Sequence, residues 1–254
     1  MRLFFYNCII LILLPILIIR LVIKSLKDKD YLKNFSNRLV LYSEKSHSNV
    51  IWFHAVSLGE VISSQIIVKE LLEDNKVVLS VSTATGLREA KKIYGQKLFV
   101  VYAPWDSIIF INSFLNKFRP KALILFETEI WPSMIHACWK NKIPVILSNA
   151  RLSESSYKKY NLVKLFINKT LNEFSLILAQ SYEHVTRFKA LGVNDNIIFK
   201  VGSSKFDLES NNEFESQDFI LSHDFILAAS THKGEDELII SSYLKLKEEF
   251  KDLK

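Results

Sequence analysis

The sequence predicts an α/β protein, a doubly wound parallel sheet preceded by a membrane-anchor helix. Three observations predict it. Short, β-rich apolar runs alternate with helical stretches from Val50 to Val201. Polar motifs directly follow several of those runs, and sheets of this kind bind ligands outside the carboxyl ends of their strands. The stretch from Leu3 to Ile23 is almost wholly apolar. Apolar strands alternating with helices give a sheet covered on both faces.

The first element is the run LFFYNCIILILLPILIIRLVI, interrupted only by Asn7, Pro15 and Arg20. About 20 residues of helix cross a bilayer core. A secretory signal has a shorter core and a small-residue cleavage site, but here Lys24, Ser25, Leu26 and Lys27 follow. Lys24, Lys27, Lys29, Lys33 and Arg38 flank the C-terminal side, against Arg2 in front, which places the body in the cytosol by the positive-inside rule. Residues 1–24 are thus expected to be an anchor. Pro15 and Arg20 leave two arrangements open, a span or a helix lying in the interface with Arg20 snorkelling.

Residues 25–209 form the expected main domain. After a polar link from Tyr42 to Asn49, the strands are expected at Val50–Phe53, Val77–Ser82, Leu98–Tyr102, Ala122–Phe126, Val145–Ser148, Ser175–Ala179 and Ile197–Val201. Helical patterns lie between them at Val61–Glu73, Gly86–Tyr94, Ser107–Phe118, Pro132–Lys140, Tyr157–Asn172 and Tyr182–Leu191. The polar stretch Ser210–Gln217 then reads as a linker. Phe225–Ala229 reads as a fresh strand and a helical run reaches Phe250. Residues 210–254 are therefore expected to hold a linker and the start of a second domain.

Composition narrows the function. Hydrophobic residues make up 49% and charged residues 24%, too apolar for intrinsic disorder. Two cysteines, Cys8 and Cys138, exclude a disulfide scaffold and an all-cysteine zinc site. The net charge of +6 suits an anionic membrane surface or a phosphorylated substrate. The basic residues are scattered and no recognition motif accompanies them, so nucleic acid is not the expected partner. Neither GxGxxG nor GxxxxGK[ST] occurs, which leaves dinucleotide and P-loop readings without their fingerprint.

Five motifs carry the candidate chemistry. His54-Ala-Val-Ser57-Leu-Gly59-Glu60 follows the first strand. Gly59 would permit a tight turn. Glu60 would open the next helix, where the dipole keeps a carboxylate ionised and fit to take a proton from a hydroxyl. Equally, Glu60 is an ordinary cap for backbone N–H groups, and His54 alone reads as a hydrogen-bonded structural histidine. In Phe126-Glu127-Thr128-Glu129-Ile130-Trp131-Pro132, alternation along an extended segment would send both carboxylates to one face, where they shift each other's pKa. In Ser148-Asn149-Ala150-Arg151, Arg151 is a fork for phosphate or carboxylate, or a structural partner of Glu127 or Glu129. In Val201-Gly202-Ser203-Ser204-Lys205-Phe206-Asp207, backbone N–H groups and an ammonium make a phosphate-sized anion site. In Ala229-Ser230-Thr231-His232-Lys233-Gly234-Glu235, His232 sits at a strand-to-helix turn.

These motifs in this order, after an apolar anchor, resemble the Kdo (3-deoxy-D-manno-octulosonic acid) transferases of lipopolysaccharide biosynthesis, glycosyltransferase family 30. The resemblance covers nearly the whole chain. It implies a GT-B-type fold of two Rossmann-like domains, here with the second only begun. It implies Kdo transfer from CMP-Kdo to a lipid A precursor at the cytosolic side of the inner membrane, with no metal and no cofactor. It implies Glu60 as general base, with Glu127 and Lys205 stabilising the transition state. His54, Ser57, Gly59, Glu129, Arg151, Ser203 and His232 would bind substrate. The family's Pro-Arg-His-Pro-like turn and Gly-Gly-rich loop, which contact CMP, do not occur here. The expectation is a Kdo transferase chain that is inactive alone, which leaves open a separately encoded C-terminal half as partner or a remnant without activity, with a non-catalytic membrane-bound acceptor- or partner-binding module as the alternative.

Overall fold

The structure, a computed structural model, describes residues 2–42, 48–204, 227–231 and 234–250. The chain divides into two compact units, Met1–Glu209 and Ser210–Lys254.

The first unit opens with the apolar helix α1 (Arg2–Lys27) and two 3-10 turns, Lys29–Tyr31 and Phe35–Leu39. Strands and helices then alternate: β1 (Val50–His54), α2 (Leu58–Ser63), α3 (Gln65–Asp74), β2 (Lys76–Val81), α4 (Ala84–Tyr94), β3 (Phe99–Tyr102), α5 (Ile108–Phe118), β4 (Pro120–Phe126) and α6 (Pro132–Lys140). β5 (Val145–Ala150), α7 (Glu154–Leu162), α8 (Lys164–Leu171), β6 (Leu176–Ala179), α9 (Tyr182–Ala190) and β7 (Ile198–Lys200) complete it. The seven strands form one sheet in the order β3-β2-β1-β4-β5-β6-β7, every pair parallel. The sheet is the expected α/β, doubly wound arrangement, and its strand order reverses between β1 and β4.

The sheet forms because its strands are apolar on both sides. All five residues of β1 are buried. Successive side chains alternate between two cores. Trp52, Leu123 and Leu125 pack on one face with Phe114 and Phe118 of α5. Phe53, Ile124 and Phe126 pack on the other with Leu87 of α4. Trp52 stacks on Phe114 at 4.0 Å between centroids, and its indole N–H donates to Ser80 Oγ at 2.7 Å.

Several expected boundaries differ. The run Val61–Glu73 is two helices that break at Ser64. There the Ser63 hydroxyl donates to Gly59 O at 2.6 Å and the Ser64 hydroxyl to Val61 O at 3.2 Å. Hydroxyls that bond the preceding turn compete with the helix ladder. Tyr157–Asn172 is likewise two helices, broken at Val163 (φ −117°, ψ 30°), a half-exposed β-branched residue with poor helix propensity. Tyr42 is core rather than link: it packs edge-on to Phe118 and its hydroxyl donates to Tyr102 O at 3.2 Å. Arg38 is no part of a positive flank. It is buried, lies 4.0 Å over the Tyr102 ring and donates to Ser82 O.

In the second unit, α10 (Glu235–Glu249) follows Gly234, whose φ of +97° suits a glycine. Glu235, Asp236 and Glu237 occupy its first turn, favoured by the helix dipole. Of the expected strand Phe225–Ala229, residues 227–229 are described and lie outside any strand, while 225 and 226 fall outside the described residues.

Candidate active site

The strand order reverses between β1 and β4, the point where sheets of this kind leave a crevice outside the carboxyl ends of their strands, and three glutamates that feel one another's charge lie there. The first comes from the turn after β1. Ser57, with extended backbone (φ −119°, ψ 168°), caps α2, its Oγ accepting from Glu60 N–H. Glu60 bends back over the same turn. The Ser57 hydroxyl donates to its Oε1 at 2.8 Å and the Val56 N–H donates to its Oε2 at 2.8 Å. This is a capping box whose carboxylate is held by both oxygens. Burial pushes the Glu60 pKa above the ordinary carboxylate value. The Val56 and Ser57 donors pull it down, and Glu127 pushes it further up. Helix position alone suggested a firmly ionised group, so this is a correction: with Glu60 nearly fully covered, loss of water outweighs its place in the first helical turn.

Gly59 is not the turn residue expected. It lies inside α2 without a positive φ, and a Cβ there would meet only Ser57 Oγ at 4.0 Å. The close approach occurs at Gly86 of α4, where a Cβ would lie 3.2 Å from Ser57 C and 3.3 Å from Leu58 N. His54 lies beneath the site rather than on it. It is fully buried, with Nδ1 2.8 Å from Ser80 Oγ, and burial pushes its pKa down to about 4, so the ring is neutral. A side chain without exposed surface does not line a ligand pocket, which corrects its expected substrate contact.

The other two glutamates follow β4. Glu127 has φ +64°, so the chain turns there instead of continuing extended. Its N–H donates to Ser148 O at 2.9 Å, and the Thr128 hydroxyl donates to Arg151 O. Simple alternation therefore does not place the pair. Glu129 is held by the Trp131 indole, whose N–H donates to Oε2 at 2.6 Å. Burial drives the Glu129 pKa to about 8, the Glu60 charge adds to the rise, and Glu127 contributes less. The stronger partner of Glu129 thus lies across the β1/β4 crevice and not two residues away. Tyr160 of α7 also feels the Glu129 charge: burial first and then Glu129 raise its pKa. It lies 31 residues beyond Glu129, and no motif marked it.

A second concavity, of about 420 Å³, lies at the ends of β5, β6 and β7, bounded by Ser148, Asn149, Gly202, Ser203 and Ser204 with Ile67. Asn149 (φ +54°) accepts from Ser204 N–H through Oδ1 at 3.2 Å. Its buried Nδ2 has no partner among the described residues. The Ser204 hydroxyl also faces Ser63 O at the end of α2, so the turn after β7 reaches the helix that carries Glu60. Arg151 is exposed just beyond β5. Lys205 and His232 lie outside the described residues. Among the described residues no group of three or more His, Cys, Asp or Glu side chains is arranged to hold a metal ion.

Fold and site together define a doubly wound α/β domain with an acidic crevice at its switch point. Residues 33–208 match the family model described as 3-deoxy-D-manno-octulosonic-acid transferase (kdotransferase). The 3-deoxy-D-manno-octulosonic acid transferase of Haemophilus influenzae is 32% identical over 98% of this chain and 61% of its own length. A bifunctional glycosyltransferase/methyltransferase of Fusobacterium nucleatum is 32% identical over 86% of this chain and 36% of its own. Among solved structures, the S. aureus MnaA–UDP co-structure superposes with a TM-score of 0.52 at 16% identity, over 81% of this chain and 60% of that one. That likeness is one of fold. The chain belongs to the 3-deoxy-D-manno-octulosonic-acid transferase family. It spans about three fifths of the H. influenzae relative.

Proposed function

We propose that this chain is the acceptor-binding, base-carrying part of a Kdo transferase of lipopolysaccharide biosynthesis, held at the cytosolic face of the inner membrane. The observation that carries the reading is Glu60, a buried carboxylate braced through both oxygens at the switch point. A base works best with a pKa near the working pH, and burial lifts this one above the ordinary carboxylate value. In the reaction proposed, Glu60 takes the proton from a lipid A precursor hydroxyl. The freed oxygen bonds the anomeric carbon of Kdo as the bond from that carbon to the CMP phosphate breaks. CMP leaves with the electron pair and needs no strong acid. Glu127 stabilises positive character at the sugar, and Lys205 stabilises the charge arriving on phosphate. Glu129, Arg151, Ser57, Ser203 and His232 line the substrates. Gly59, exposed and without a side chain, leaves room above Glu60.

The test is transfer from CMP-Kdo to a lipid A precursor in detergent. The chain is supplied with the portion of the H. influenzae relative that it does not match. Transfer is expected, and Glu60→Ala is expected to abolish it while the melting curve stays cooperative. Transfer at the native rate in Glu60→Ala overturns the base assignment. Acceptor binding without transfer, whatever the donor portion, makes the chain a binding module.

A further inference from the structure

Helix α1 carries two opposed stripes along its whole length. Leu3, Asn7, Ile10, Leu14, Leu21 and Ser25 are buried or partly covered. Phe5, Ile12, Ile16, Ile19, Ile23 and Leu26 are exposed, Ile12 at 74% and Leu26 at 83%. Spacings of three, four and seven place each set on one helix face. A helix reaching freely into solvent would show no such covered stripe.

Both ends of α1 are tied to the same domain. Near the start, the Tyr6 hydroxyl donates to Asp106 Oδ2 at 2.7 Å. Asn7 Oδ1 accepts from Ile108 N–H, the first residue of α5, at 2.7 Å. Asp106 in turn accepts from Ser133 and Met134 N–H at the start of α6. Just past the other end, Asp28 and Asp30 both pair with Arg88 of α4, and the Tyr102 hydroxyl donates to Asp30 O. At about 1.5 Å per residue, Asn7 and Asp28 stand on the order of 30 Å apart, the thickness of a bilayer core. A spanning helix would put these two tethers on opposite sides of the membrane, and one compact domain cannot hold both.

From these two observations we infer that α1 does not span the bilayer. It lies flat in the interface as a strut on the domain, with its exposed stripe in the acyl region of the cytosolic leaflet. The inference rests on the proposed membrane location and adds its geometry. A lipid surface is the occupant the charges select. Residues 2–27 hold no acid, and Arg20, Lys24 and Lys27 are exposed along the helix at headgroup level. The apolar surface also continues beyond α1. Leu3 and Leu165 line one cavity of about 400 Å³, and the Tyr6 and Phe166 rings lie 5.8 Å apart. The α7–α8 elbow beside it exposes Leu162 at 87% and Leu165 at 73%, next to the exposed Lys159 and Lys164. A flat helix and the elbow would enter the same leaflet together, as in interfacial anchoring.

The test measures depth. A bimane label is placed on single cysteines at Phe5, Ile12, Ile19 or Leu26, in a Cys8→Ser background that keeps the buried Cys138. The protein is bound to vesicles of phosphatidylethanolamine and phosphatidylglycerol, with quenching nitroxides at graded depths. Flotation is measured first. The expected result is flotation with four equal, shallow depths, and with a Leu162 label quenched at a similar level. Flotation with depth changing steadily from Phe5 to Leu26 overturns the flat helix and keeps the membrane location. Failure to float overturns the location and the geometry with it.

Discussion

At the scale of single residues, the crevice holds more carboxylate than it can ionise, and Glu129 shows the cost most clearly. Its folded pKa of about 8 stands above its ordinary 4.5, because burial and the Glu60 charge disfavour ionisation. Between those values the native state keeps a proton that the unfolded chain releases. Stability contributed by that proton is therefore full below about 4.5, falls as pH rises, and levels off above about 8. Glu129→Gln removes the titration and keeps the shape. Its melting temperature relative to the parent chain is expected to climb between pH 5 and pH 8 and to stay flat beyond. A difference that does not change with pH would place Glu129 in a solvated site. Because the Glu60 charge is only the second cause, the climb is expected to shrink, without vanishing, when Glu60→Gln is also present. Glu60→Gln alone keeps a group able to accept from Val56 N–H but unable to take a proton. Loss of a positioned base costs about 10²- to 10⁴-fold in rate. That loss in transfer, with a melting curve that stays cooperative, is the expected signature, and stopped assays of initial rate will read it.

At the scale of elements, α4 sets the position of the turn that carries Glu60. The Cβ of an alanine at Gly86 would come 2.9 Å from Thr83 Oγ1 and crowd the Ser57 and Leu58 backbone. Overpacking costs about 1–3 kcal/mol, against a helix-propensity gain for alanine of about 0.5–1 kcal/mol. Crowding wins, so Gly86→Ala is expected to lower the melting temperature. It is also expected to lower transfer, because the Ser57–Glu60 bonds move with the turn. A raised melting temperature would show that the two helices separate freely. The sheet was legible in the sequence because β1, β2, β4 and β5 are apolar on both faces, a pattern that no solvated element shares. Glu60 was legible because a Ser-x-x-Glu capping box is a local device. The helix breaks at Ser64 and Val163 were not, since apolar spacing continues through both. The true neighbour of Glu129 was hidden as well. A left-handed residue at Glu127 defeats alternation, and the electrostatic interaction with Glu60 arises only once β1 and β4 pair. Arg38 and Tyr42 misled for a related reason, as polar residues near a chain start read as surface until Tyr102 and Phe118 fold over them.

At the scale of the molecule, the proposed membrane attachment would draw on apolar and electrostatic attraction in one surface, and their sizes decide which would hold it. Burying an Ile, Leu or Phe side chain is worth about 1.5–3 kcal/mol. Each basic residue near an anionic leaflet adds about 1 kcal/mol. The exposed stripe Phe5, Ile12, Ile16, Ile19, Ile23 and Leu26 therefore outweighs Arg20, Lys24 and Lys27 several-fold. Salt at 1 M, where the Debye length is about 3 Å, removes the charge part and leaves the apolar part. Three basic residues correspond to a loss of about 100-fold in affinity. Sedimentation with anionic vesicles is thus expected to weaken by about that factor in 1 M salt without releasing the protein. Neutral vesicles at low salt should match that weakened level. Ile12→Asp with Ile19→Asp should release the protein from neutral vesicles altogether, and the Tyr6–Asp106 and Arg88 tethers should keep the soluble variant folded. If salt alone strips the parent chain from anionic vesicles, charge holds it there, and the stripe on α1 faces something other than lipid.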